Sequence, residues 1–176
     1  MMVASEFSRP VRLDTLGEGP REVTVEAEAD ECRALARRFG LAGVERLAAT
    51  ATLTRAGDAV TATGRLTANV VQSCVATGDP LPVALDEPFA LRFEPAGMDG
   101  AEEIELSEAQ LDVLSYSGGA VDLGEAVAET LSLALDPFPR APDADVRLRE
   151  AGVTPEGEEA RGAFAALAGL KDRLRG

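Results

Sequence analysis

Histidine and tryptophan are absent from the 176-residue chain. Without histidine, the usual general base near neutral pH and the commonest metal ligand are both missing. That excludes Ser-His-Asp and Cys-His catalysis. Only two cysteines occur, Cys32 and Cys74, too few for a four-ligand zinc site on their own. The first ten residues lack the apolar core and cleavage signal of a secretory leader, so reduced thiols and a cytoplasmic protein are expected. Aromatic residues make up 4% of the chain, with a single tyrosine, Tyr116. The core must therefore be built from Ala, Val and Leu, and exposed aromatic platforms for single-stranded nucleic acid are not expected. No apolar run reaches the roughly 18 residues of a membrane span.

Acid is abundant. Asp and Glu number 31 against 17 Lys and Arg, a net charge of −14. Such a field repels phosphate and disfavours non-specific binding to RNA or DNA. It favours solubility and partners with basic surfaces, such as ribosomal proteins. The length corresponds to about one domain, large enough to fold without a metal or a disulfide.

Phe7, Val11 and Leu13 outline a short first strand. Val23, Val25 and Ala27 alternate with Thr24, Glu26 and Glu28, the pattern of a half-buried strand. Asp30 is a suitable N-cap for a helix over residues 30–39. Cys32, Leu35, Ala36 and Phe39 share its apolar face, and Gly40 supplies its stop. Two alternating runs, 44–55 and 60–71, flank Gly57 and Asp58 and predict a β-hairpin. Gly64, in mid-strand, marks a bulge or a close backbone approach. A third strand carries Val83, Leu85, Phe89, Leu91 and Phe93, and Pro88 within it predicts an edge position or a bulge. Ile104 and Leu106, and then residues 111–116, suggest short strands.

Asp122, with Glu125 three residues on, starts the clearest helix. Leu123, Val127, Leu131 and Ala134 share one face, and Pro137 and Pro139 follow its end. Residues 140–159 are polar and rich in Pro and Gly, as expected of a mobile linker. Residues 160–174 regain helical periodicity through Phe164, Leu167, Leu170 and Leu174, a stripe that docks either on its own domain or in a partner groove. The whole predicts an α+β fold. Residues 1–139 form one domain, with an antiparallel, strongly curved or barrel-like sheet that closes its edges and carries packed helices. Residues 140–176 form a polar linker and a tethered amphipathic C-terminal helix.

The chemistry-bearing candidates are few. Glu102, Glu103, Glu105 and Glu108, and again Glu156, Glu158 and Glu159, lie in polar, loop-like stretches and are read as solvated surface. Gly118 and Gly119 precede a helix but lack the lysine of a phosphate-binding loop. Cys74 follows Gln72 and Ser73 at a strand end, with no cation adjacent in sequence. A packing role therefore outweighs a reactive thiol there, and Cys32 is read as core. No catalytic, cofactor-binding or metal-binding residue emerges, and no enzymatic activity is expected.

Several segments together resemble a known family. They are Gly64 and Leu66, then Val70-Val71-Gln72-Ser73-Cys74-Val75, then Leu81-Pro82-Val83 and Glu87-Pro88-Phe89 with Phe93. Further on stand Val121-Asp122-Leu123-Gly124-Glu125, the run 131–135 with Pro137, and Phe164, Leu167, Leu170 and Lys171 near the end. Their order and spacing are similar to those of the YceD family, bacterial and plastid proteins linked to large-subunit ribosomal RNA accumulation. The resemblance marks Gln72, Cys74, Phe164, Leu167, Leu170 and Lys171 as family-signature residues and candidate partner contacts. Many members carry further cysteines in a pattern suggesting metal binding, but residues 75–78 and 139–142 contain none here. This departure predicts that the metal site is absent here, so that the family role does not require zinc, and no cofactor is expected. The role implied by the resemblance is in ribosomal RNA processing or ribosome assembly, with a pre-ribosomal large-subunit particle or a ribosomal protein as partner. Direct contact with RNA is left open. The alternative is an acidic module that binds a basic protein and has no RNA role.

Overall fold

The period-two alternation of the middle third folds into long neighbouring strands. The computed structural model describes residues 5–17, 19–97 and 112–153. In chain order these form β1 (Pro10–Arg12), a one-turn 3-10 helix (Leu13–Thr15), β2 (Arg21–Glu26), α1 (Ala29–Phe39), β3 (Gly43–Ala56), β4 (Ala59–Ser73) and β5 (Pro80–Pro95). After these come β6 (Asp112–Tyr116), β7 (Ala120–Asp122), α2 (Leu123–Ala134) and α3 (Ala144–Glu150). The chain divides into two compact units. One is Met1–Gln72 with Pro80–Pro137, and the other is Ser73–Asp79 with Phe138–Gly176.

In the first unit the five-stranded sheet has the order β2-β3-β4-β5-β6, and β1 pairs with β7 in a separate small sheet. The β3–β4 hairpin turns at Gly57, whose φ of 63° lies in the left-handed region. Its register runs from Ala56↔Ala59 back to Gly43↔Val71, with a bulge between Val44 and Arg46. Leu47, Ala49, Ala51 and Leu53 from β3 meet Val60, Ala62, Leu66, Ala68 and Val70 from β4 on the buried face. The opposite face of the same strands carries Thr50, Thr54, Thr63 and Arg65, which are exposed. Gly64 lies in close backbone approach. A Cβ there would stand 2.8 Å from the Ala51 Cα and 3.0 Å from the Phe89 ring, and would collide with the Thr50 carbonyl oxygen.

α1 and α2 bury their apolar stripes in the same core, with Leu35, Leu123, Val127 and Leu131 fully enclosed. Phe7 is also wholly buried, and its carbonyl would lie 2.5 Å from any Cβ at position 124. Glycine at 124 thus lets the N-terminal segment lie against the first turn of α2. Asp122 caps that turn. Its Oδ1 accepts from the amides of Glu125 at 3.1 Å and Arg9 at 2.7 Å.

The fold class is α+β, but the expected barrel-like curl is absent. β2 and β6 end the sheet as separate edges. At six and five residues they are too short to meet across strands of 14 to 16 residues, and helices cover the buried face instead. β6 joins β5 in parallel, from Leu91↔Asp112 to Pro95↔Tyr116, an orientation the sequence did not signal. Among the described residues, no strand pairs with the first part of β5 on that side, where Pro82 and Pro88 lie. Prolines, which lack an amide donor, suit such an edge.

Other boundaries also differ from expectation. The first strand covers only Pro10–Arg12, and Leu13 opens the 3-10 turn. The first helix begins at Ala29 with Glu28 as N-cap, not Asp30. Glu31 reaches back to accept from the Glu28 amide at 2.7 Å, and Asp30 is left in the first turn to favour the helix dipole. The stretch read as a linker contains α3. Arg140, before the helix, pairs with Asp145 at 2.7 Å, and Arg147 pairs with Asp143, four positions back, at 2.8 Å. Pairing at this spacing supports a short helix that composition alone does not suggest. The strand expected at Ile104 and Leu106, and the helix expected over 160–174, lie outside the described residues.

Candidate functional site

Gln72 and Cys74 stand two positions apart in sequence and belong to different units. Gln72, in the first unit, is 6% exposed, the one buried polar side chain among the described residues. It faces the core in the same alternation as Val70 and Ala68. Its Nε2 donates to the Asp136 carbonyl at 2.8 Å, tying the end of β4 to the chain leaving α2. Buried amides persist where their hydrogen bonds are made, so the glutamine latches two distant segments.

Cys74 opens the turn that forms the first half of the second unit. The Cys74 amide donates to the Asp79 carbonyl and the Gly78 amide to the Cys74 carbonyl, both at 2.8 Å. The turn is joined to the later chain by two bonds. Val75 N–H donates to the Pro139 carbonyl at 2.9 Å, and Ala141 N–H points at the Cys74 Sγ from 3.3 Å. Arg147 of α3 adds an ion pair to Asp79 at 2.5 Å. The Thr77 hydroxyl and the Ala141 amide hold the Cys74 thiol down, to about 7. The hydroxyl has only one proton to give, and the Asp79 carboxylate takes it at 2.5 Å. The Ala141 amide is therefore the fixed donor, and the thiolate it favours is 2% exposed. Cys32 behaves oppositely, because burial pushes its thiol up.

These surroundings do not fit a metal. The Cys74 sulfur faces an amide N–H, which cannot ligate. Among the described residues, no three His, Cys, Asp or Glu side chains gather at ligating positions. The remaining shifted groups belong to ion pairs that hold elements together. Arg38 clamps Glu125 at 2.6 Å and Glu6 at 3.0 Å and keeps the Glu125 carboxyl below its usual range. Arg9 binds Glu31 through both Nη atoms at 2.7 Å.

One arrangement escaped the sequence reading. Arg55 donates from Nη1 to the Leu13 carbonyl at 2.8 Å. Arg21 donates from Nη1 to the Thr15 hydroxyl at 2.8 Å, and Arg12 precedes the same 3-10 turn. Arg21 and Arg55 occupy inner-face positions at one end of the sheet, where the apolar core runs out. The signal was available in the alternation, since each continues the parity of buried neighbours, Val25 and Leu53. It becomes visible only once β2 and β3 are set in register, Arg21↔Leu53.

Of the other signature residues, Phe164, Leu167, Leu170 and Lys171 lie outside the described residues. Among the described residues, no helix is long and apolar enough to cross a membrane. No curated protein and no solved structure matched the chain significantly. A family model described as "Large ribosomal RNA subunit accumulation protein YceD" matches residues 62–171. That span holds β4, β5, the Cys74 turn and α2, well over half of the chain, and the chain accordingly belongs to the YceD family.

Proposed function

We propose that this protein is a non-enzymatic accessory factor for large-subunit ribosomal RNA, acting during RNA processing or ribosome assembly in the cytoplasm. The observation that carries the reading is the family match over residues 62–171. Residue chemistry supports the non-enzymatic part. The chain has no histidine, and among the described residues the shifted carboxylates Asp14, Glu31, Asp79 and Glu125 are engaged by Arg12, Arg9, Arg147 and Arg38. A carboxylate held low by an arginine is a poor general base. The partner is a pre-ribosomal large-subunit particle or one of its proteins. Sedimentation of cell extracts tests this: the protein should travel with large-subunit precursors, and its depletion should lower mature large-subunit RNA relative to small-subunit RNA. Unchanged RNA levels, with the protein confined to the top of the gradient, would refute the reading.

The net charge of −14 favours a second reading, an acidic module for a basic protein with no RNA role. Ribonuclease treatment separates the two. A complex that survives complete RNA digestion, in cells whose ribosomal RNA is unaffected by depletion, belongs to the second.

A further inference from the structure

We propose that the Leu13–Thr15 turn and the arginines around it form a contact surface for RNA phosphate. This rests on the ribosomal RNA reading above and gives it a location.

The chain holds 16 arginines and one lysine, Lys171. Most arginines of the described residues are neutralised by a carboxylate: Arg9 by Glu31, Arg38 by Glu6 and Glu125, Arg46 by Glu26, Arg65 by Asp86, Arg92 by Glu94. Arg21 and Arg55 are bonded differently. Arg55 gives Nε to the Gly57 carbonyl and Nη1 to the Leu13 carbonyl, both at 2.8 Å. Arg21 gives Nη1 to the Thr15 hydroxyl and the Thr15 carbonyl. These acceptors are uncharged, so both cations keep their full charge. Arg12, with a side chain 71% exposed, pairs with Asp14. Three arginines and one aspartate leave a local charge of +2 on a chain whose total is −14.

The surface between them is concave. An open groove of about 450 Å³ runs along Arg12, Asp14, Arg55 and Gly119. A second, of about 400 Å³, shares Arg12 and adds Arg9, Thr15 and Arg21. Capping the free carbonyls of a short turn needs only neutral donors. Structure alone does not require the two guanidiniums of Arg21 and Arg55 there, and arginine's planar fork matches phosphate oxygens in pairs. The acidity of the remaining surface sharpens the point. An RNA held here would be repelled elsewhere, so its contact must be confined and oriented.

Filter binding of a labelled large-subunit ribosomal RNA transcript to the full chain tests the proposal. Arg12→Glu with Arg21→Glu should weaken binding tenfold or more and lower the salt slope by about 2, one per lost phosphate contact. Thermal unfolding of the variant verifies that it is folded, and Arg55→Gln offers a milder substitution on the same surface. The control, Arg46→Glu with Arg65→Glu, changes net charge equally on the far face of the sheet and should bind nearly as wild type. Equal weakening by the control would overturn the proposal, as would displacement of the transcript by polyglutamate as readily as by RNA. A wild-type protein that travels with precursor particles yet fails to bind the transcript would overturn this inference and leave the accessory-factor reading standing. Failure to travel with particles would overturn that reading instead.

Discussion

Replacing Gly64 by alanine tests the packing of the sheet, because two effects there have opposite signs. Glycine inside a strand costs about 0.5–1 kcal/mol relative to alanine through its chain entropy. At an open position Gly64→Ala would therefore stabilise the protein. Here the new methyl would sit 2.8 Å from the Ala51 Cα and 3.0 Å from the Phe89 Cζ, and against the Thr50 carbonyl. The ring can swing away, but the backbone atoms cannot. Ala51 is the register partner of Gly64, and moving it stretches the β3–β4 ladder. Overpacking of this kind costs about 1–3 kcal/mol, enough to reverse the entropic gain. At this chain length each kcal/mol is worth roughly 2–4 °C in Tm, so a fall of several degrees is expected. Guanidinium unfolding followed by circular dichroism should show the same loss as a lower midpoint at unchanged slope. A midpoint equal to or above wild type would refute the reasoning. Adding Phe89→Leu should recover only part of the loss. Full recovery would place the cost on the ring and not on the ladder.

Three more outcomes are expected. Gln72→Leu removes the donor to the Asp136 carbonyl and should cost about 1 kcal/mol, read as a lower denaturation midpoint, with amide hydrogen exchange accelerated most at Leu135 and Asp136. Arg38 is the main cause holding the Glu125 carboxyl below its usual 4.5. A depressed carboxyl gives stability that is present above its unfolded value and lost as pH falls through its folded one. Melting temperature in wild type should therefore drop below about pH 4.5, and Arg38→Gln should flatten that drop. The Cys74 thiol, held down by the Ala141 amide, should titrate below the usual 9.0 by ultraviolet thiolate absorbance. Cys74→Ser should abolish that step, leaving only Cys32, above the usual 9.0. By the same linkage, stability from the Cys74 turn is present above the usual 9.0 and lost as pH falls below it.

How much of this was legible in the sequence follows from the range of each interaction. The hairpin, the Asp122 cap and the Gly40 stop (φ of 65°) depend on neighbours a few residues away, and their residue patterns declare them; Gly64 was marked by its type within a strand, although the atoms that crowd it come from Thr50, Ala51 and Phe89. The α1 start was misplaced because Asp30 is the preferred cap by residue type, whereas the helix starts where Glu31 accepts from the Glu28 amide, with the same carboxylate holding Arg9 from another segment. Open edges were missed because alternation reveals a buried face but not what covers it. The parallel β6 and the Arg147–Asp79 ion pair bring together residues whose relation no local pattern carries. Among the candidate residues, Gln72 and Cys74 were visible as a motif, yet their partners Asp136 and Ala141 lie 64 and 67 positions away. The arginine turn was hidden because it emerges only when β2 and β3 are paired in register, Arg21↔Leu53.

That separation governs when the Cys74 turn can exist at all. Joining chain points 67 residues apart costs roughly 4 kcal/mol in closure entropy. A handful of hydrogen bonds and one ion pair must offset it, at about 1 kcal/mol per bond. During synthesis the turn emerges first and has no one to bond with until residues 139–147 follow. By then the β3–β4 hairpin, closed by two residues, has long been able to form. The family-signature cysteine thus stays exposed while the hairpin beside it is already able to close, and its enclosure waits for residues 139–147 to emerge.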